Sequence, residues 1–70
     1  MNIEITAREE GFTMLKLIDM SGRVVKQLQT NTEEGMNSLS LNVADLSNAV
    51  YSLQVIKNDV LQEVIRVIKN

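Results

Sequence analysis

Hydrophobic and polar residues alternate along most of this chain, and the alternation has a period of two. Ile3-Glu4-Ile5-Thr6-Ala7 opens it, as a half-buried strand would. Arg8-Glu9-Glu10-Gly11 reads as a turn. Phe12 to Met20 is the next extended stretch, with Phe12, Met14, Lys16, Ile18 and Met20 on one face and Thr13, Leu15, Leu17 and Asp19 on the other. Neither face is cleanly polar, which fits a central strand covered on both sides or one carrying a bulge. After Ser21-Gly22 the pattern resumes from Arg23 to Gln29, with Val24 and Leu28 predicted on one face and Val25 on the other. Thr30-Asn31-Thr32-Glu33-Glu34-Gly35 is the longest polar interval and reads as a flexible loop.

Asn37 to Val43 gives the cleanest alternation. Leu39, Leu41 and Val43 point one way, and Ser38, Ser40 and Asn42 the other. In the polar corner Ala44-Asp45-Leu46-Ser47-Asn48, Leu46 reads as a plug inserted into the core. Val50 to Lys57 follows, with Tyr51, Leu53 and Val55 inward. Asn58-Asp59 is a two-residue hairpin signal. In Val60 to Lys69, Val60, Leu61, Val64, Ile65 and Ile68 also recur at helical spacing. The β-branched content and the short link from the preceding strand favour a sixth strand. Six extended segments joined by short turns predict one compact all-β domain over residues 1–70, a small antiparallel sandwich of about six strands.

Composition narrows what such a domain does. The 70 residues contain no Cys, His, Pro or Trp. Disulfides, the usual zinc and copper sites, and Ser-His or Cys-His nucleophilic chemistry are therefore out of reach. The net charge of −2 with mixed signs gives no basic footprint for nucleic acid. No apolar run is long enough to span a membrane as a helix. Glu9-Glu10 and Glu33-Glu34 lie in polar turns, where solvation explains them. Asp19 with Asp45 or Asp59 would need a cleft that a chain this short has little room to build. No Asp-x-Asp-x-Asp-Gly calcium loop and no Gly-x-Gly-x-x-Gly or Walker pattern occurs, so no metal and no cofactor is expected. Nothing here points to an enzyme.

One corner remains. In Leu17-Ile18-Asp19-Met20-Ser21-Gly22-Arg23-Val24-Val25, Asp19 is placed to accept hydrogen bonds from backbone N–H groups just ahead of it. Gly22 is suited to the positive φ of a tight turn. Arg23 is either an exposed partner of Asp19 or a recognition residue. Tyr51, in phase with Leu53 and Val55, puts its ring in the core and its hydroxyl against a backbone carbonyl at a corner.

This hairpin precedes Leu46-Ser47-Asn48-Ala49-Val50-Tyr51-Ser52-Leu53 and an Ile68-Lys69 ending. In that order, from about Ile3 to Lys69, the motifs resemble the C-terminal sorting domain of the type IX secretion system of Bacteroidetes. The family carries a (L/I)-Y-D-x-x-G-R-x-V hairpin, an L-x-x-G-x-Y-x-L element and a lysine near the C-terminus. The resemblance places Asp19, Gly22 and Arg23 on the first motif, Leu46, Val50 and Tyr51 on the second, and Lys69 on the last. It implies an immunoglobulin-like β-sandwich at the end of a larger cargo protein with its own N-terminal signal peptide. It also implies recognition by an outer-membrane translocon, removal by a sortase-like peptidase, and release or attachment at the cell surface.

Two departures carry expectations of their own. Ala49 stands where the family has glycine, so a positive-φ geometry there would be strained. The Pro-Asn-Pro-type segment that precedes the first strand in the family is missing ahead of Met1. An uncovered sheet edge would then favour pairing between chains and a homodimer. A different class, an accessory sandwich binding protein or carbohydrate beside a catalytic module, would call for exposed aromatics, whereas Phe12 and Tyr51 both read as internal.

Overall fold

The computed structural model describes all residues, Met1–Asn70. The chain forms six strands and no helix: β1 (Asn2–Ala7), β2 (Gly11–Ile18), β3 (Val24–Thr32), β4 (Gly35–Ser40), β5 (Ala49–Lys57) and β6 (Val60–Lys69). They build a two-stranded sheet, β1-β4, packed on a four-stranded sheet in the order β3-β2-β5-β6, and every pairing is antiparallel. This is a small β-sandwich, as the alternation predicts.

The core lies between the sheets. Leu15 and Leu17 from β2, Tyr51, Leu53 and Val55 from β5, Ile3 from β1 and Leu41 form one buried cluster. Leu28, Leu39, Val43, Leu46 and Val67 pack against it from the rim. Only 10 of the 70 residues are buried, so stability rests on few contacts and local turn chemistry weighs heavily.

β2 is central, between β3 and β5, as its two mixed faces suggest. The bulge lies opposite it. Leu17 pairs with Lys26 and Ile18 with Val24, leaving Val25 as the extra residue of β3. That residue corrects the predicted faces, because Val25 joins Leu28 against the core while Val24 is exposed.

Three further expectations need correction. Thr30–Thr32 belong to β3 and not to a loop, and only Glu33-Glu34 separate β3 from β4. Thr32 is buried, where its hydroxyl lies 2.9 Å from that of buried Thr13. The two hydroxyls satisfy each other, so a polar pair is tolerated inside. The fourth strand stops at Ser40. Leu41 still exchanges backbone hydrogen bonds with Met1, but the Asn42 side chain then accepts from the Ala44 N–H and turns the chain away. Phe12 is not internal. It points to the outer face of the four-stranded sheet, which nothing covers, and is 40% exposed.

The Asn58-Asp59 turn is as predicted. Both residues have positive φ, 50° and 66°, the geometry of a two-residue hairpin that matches strand twist. It hands the chain directly into β6, which is a strand along its whole length.

Candidate functional site

The β2–β3 corner is a hairpin built around one carboxylate. Asp19 and Arg23 close it through Asp19 N–H donating to the Arg23 carbonyl at 2.9 Å, and Gly22 N–H donates to the Asp19 carbonyl at 3.1 Å. Asp19 Oδ1 accepts from Ser21 N–H (2.9 Å), the Ser21 hydroxyl (2.6 Å) and Arg23 N–H (3.0 Å). Its Oδ2 accepts from Arg23 Nε at 3.2 Å. Gly22 sits at φ +90°, where an L side chain is disfavoured.

These bonds favour the ionised carboxylate. The Ser21 hydroxyl first, and then the Arg23 amide, bring the Asp19 pKa from 3.8 down to about 2. Arg23 itself projects into solvent. Its side chain is 80% exposed, and only Nε is engaged.

Beside this corner lies the connection between β4 and β5, residues 41–48, which three strands tie down. Lys26 on β3 meets Asp45 at 2.8 Å, and that hydrogen-bonded contact holds the Asp45 carboxyl below its usual range. Tyr51 on β5 donates its hydroxyl to the Ser47 carbonyl at 2.6 Å. Lys69 on β6 donates its ammonium to the carbonyls of Leu46 and Ala44. Leu46, turned inward between these tethers, plugs the core as predicted.

The predicted site residues therefore converge. Asp19, Arg23, Leu46 and Tyr51 line one shallow depression of about 440 Å³ together with Asp45. Leu46, Tyr51 and Lys69 line a smaller one of about 230 Å³ behind it. Gly22 does not line the first but turns the chain between two residues that do, Ser21 and Arg23. Val50 stands apart: it alternates with Tyr51 to the outer face, opposite Ile68. Lys69 is half-buried and engaged with carbonyls, so it braces the site where Arg23 is displayed. Lys26 is the member that sequence reasoning missed. A lysine on a strand carries no signal of its own, and only the fold brings it to Asp45.

Ala49 opens β5 opposite Lys69 in ordinary extended backbone, with no positive φ. The expected strain does not arise, because nothing at this position requires glycine. No group of three or more Asp and Glu side chains lies close enough to hold a metal ion.

A family model described as the secretion system C-terminal sorting domain matches residues 1–70, the whole chain. The chain belongs to that family. No curated protein and no solved structure matches it.

The sorting domain is the C-terminal signal of type IX secretion, which marks a protein for export through the outer membrane to the cell surface or the extracellular space. Its family is non-catalytic, and the role implies interaction with the secretion machinery. No helix is long and apolar enough to cross a membrane. A folded label suits the geometry described, which offers a shaped end with the Arg23 side chain displayed on it.

Proposed function

We propose that the end of the sandwich formed by Asp19, Gly22, Arg23, Leu46, Tyr51 and Lys69 is the surface the secretion machinery reads. Residues 1–70 act as one domain at the C-terminal end of a larger cargo. The observation that carries the reading is the contrast among the motif residues. Asp19, Tyr51 and Lys69 spend their polar groups inside the domain, whereas Arg23 spends one nitrogen and displays the rest. Asp19 and Gly22 set the corner, Leu46, Tyr51 and Lys69 fix the adjoining connection, and Arg23 is the group presented. Val50 contributes to the outer face and not to this end.

The outer-membrane translocon is the partner at this surface. A sortase-like peptidase acts afterwards on the chain ahead of the domain. The free sheet edges also support pairing between copies. The test is a periplasm-targeted reporter carrying residues 1–70 at its C-terminus, in a host with this secretion system. Export with the domain attached, and periplasmic retention when Gly22 and Arg23 are both replaced, are the expected results. Normal export of the doubly replaced fusion would sink the reading.

A further inference from the structure

β6 is the least protected element of the molecule. It is the longest strand, ten residues, and it pairs with β5 along one edge only. Val60, Leu61, Val64, Ile65 and Ile68, five of the nine exposed large hydrophobics, lie on it. Soluble proteins blunt such edges with proline, inward charges or a covering element. β6 has no proline or glycine, and before Lys69 its only charges are Glu63 and Arg66. No backbone pairing joins it to the two-stranded sheet. β1 flanks the opening on that side, where an open groove of about 710 Å³ is lined by Ile5 and Ala7 of β1 and by Val55, Val60 and Glu63 of β5 and β6.

We propose that β6 is a self-association edge, on which two copies pair antiparallel about a two-fold axis through Arg66 to join their four-stranded sheets. This deepens the edge pairing named above; it shares Lys69 with the end of the sandwich proposed as the sorting surface, and its remaining residues lie on the edge strand.

The register follows from the side chains. A two-fold axis perpendicular to the sheet keeps inner face with inner face, so one residue of β6 must oppose its own copy. Across from β5, Glu63, Ile65 and Val67 share the inner face with Val55, Leu53 and Tyr51, while Val64, Arg66 and Ile68 lie on the outer face. Gln62 is the extra residue opposite the Val55/Ile56 step, so the regular strand begins at Glu63. With the axis at Arg66, Val64 opposes Ile68, Ile65 opposes Val67 and Glu63 opposes Lys69, each pair occurring twice.

Apolar residues thus meet apolar ones on both faces, and opposite charges flank them, which is the pairing a sheet rewards. The Lys69 ammonium has three donors, enough for its carbonyl partners and a carboxylate. Moving the axis to Ile65 sets Val64 against Arg66 and Glu63 against Val67. Moving it to Val67 sets Ile65 against Lys69 and Arg66 against Ile68. Both alternatives place charge on hydrocarbon. The chosen register has one cost, the two Arg66 side chains facing each other on the solvent side, where they can splay apart and salt screens them.

Because the chain has no cysteine, single-cysteine variants report the register without background. The chain should migrate at twice 7.9 kDa at high concentration and dissociate on dilution. Arg66→Cys should then cross-link to itself at least about tenfold faster than Met36→Cys, an exposed control on β4. Ile65→Cys should cross-link to Val67→Cys in preference to itself. Val64→Lys should give a monomer with unchanged melting at low concentration, and Arg66→Thr should tighten the dimer. A single 7.9 kDa species at all concentrations, or a dimer that survives Val64→Lys, overturns the proposal. Self-linking of Ile65→Cys ahead of Arg66→Cys overturns the register. An export assay of the Val64→Lys fusion separates the two readings, because Val64 lies on the edge strand opposite β3 and outside the residues proposed for the sorting surface, so export should persist.

Discussion

Gly22 offers the sharpest test of how the hairpin corner is held. Its φ is +90°, and a Cβ built there meets nothing within 4 Å. Replacement therefore costs backbone conformation alone. An L residue in the left-handed region is disfavoured by roughly 1–2 kcal/mol. Alanine also restricts the unfolded chain, which returns about 0.4–1 kcal/mol. The net expectation for Gly22→Ala is a loss of about 1 kcal/mol, or a fall in Tm of roughly 4–8 °C for a domain this small.

The mirror-image residue reverses the sign. D-alanine prefers positive φ, so a chemically synthesised chain with D-alanine at position 22 keeps the entropic gain without the penalty and should melt above the parent. Gly11 is the contrasting case. It has no positive φ, but a Cβ there would lie 3.1 Å from the Asn58 side chain and the Lys57 stem, so any cost comes from contact and not from handedness. Urea and thermal unfolding of the three chains measure the effect. Equal stability of the L- and D-alanine chains at position 22 would refute the assignment.

Other consequences follow from the same end of the molecule. The Asp19 pKa is lowered in the folded chain, so its stabilising contribution is complete above 3.8 and is lost as pH falls toward about 2. Asp19→Asn should flatten this part of an acid-unfolding curve, and an unchanged curve would contradict the hydrogen-bond network. Tyr51→Phe keeps the ring and removes only the bond to the Ser47 carbonyl, so the urea midpoint should fall by the equivalent of about 1 kcal/mol. No shift would mean that the hydroxyl anchors nothing. Lys69→Met keeps the stem and removes the clasp on Ala44 and Leu46. Hydrogen exchange should accelerate at the Leu46 amide while the β2 amides stay protected, and unchanged exchange would make Lys69 dispensable to the connection.

Most of the fold was legible because period-two alternation survives wherever one strand face is buried and the other is wet. Val50 to Lys57 and Ile3 to Ala7 show this directly, and the Gly22 and Asn58-Asp59 turns declared their backbone geometry through residue type. The misreadings have physical causes. Thr30–Thr32 looks like a loop because a threonine that bonds another buried threonine is indistinguishable, in sequence, from one that bonds water. The alternation of Asn37 to Val43 outruns its strand because Asn42 turns the backbone while Leu41 and Val43 still face the core. Phe12 reads as internal because aromatic rings usually bury their area, but two strands cannot cover both faces of four.

At the candidate site, Asp19, Gly22 and Tyr51 announced their roles through local chemistry. The convergence of Leu46, Lys69 and Lys26 on one end depends on contacts between residues far apart in sequence, which no local pattern encodes.

Labour is divided within that end: Asp19 and Gly22 build the corner, and Arg23 is displayed on it. Arg23→Ala, measured for both export of a fused reporter and Tm of the isolated domain, tests it most directly. The exposed ion pair contributes little to stability, so Tm should fall by no more than about 4 °C from the parent while export falls at least about tenfold. Export at the parental level, or loss of the fold, would contradict it.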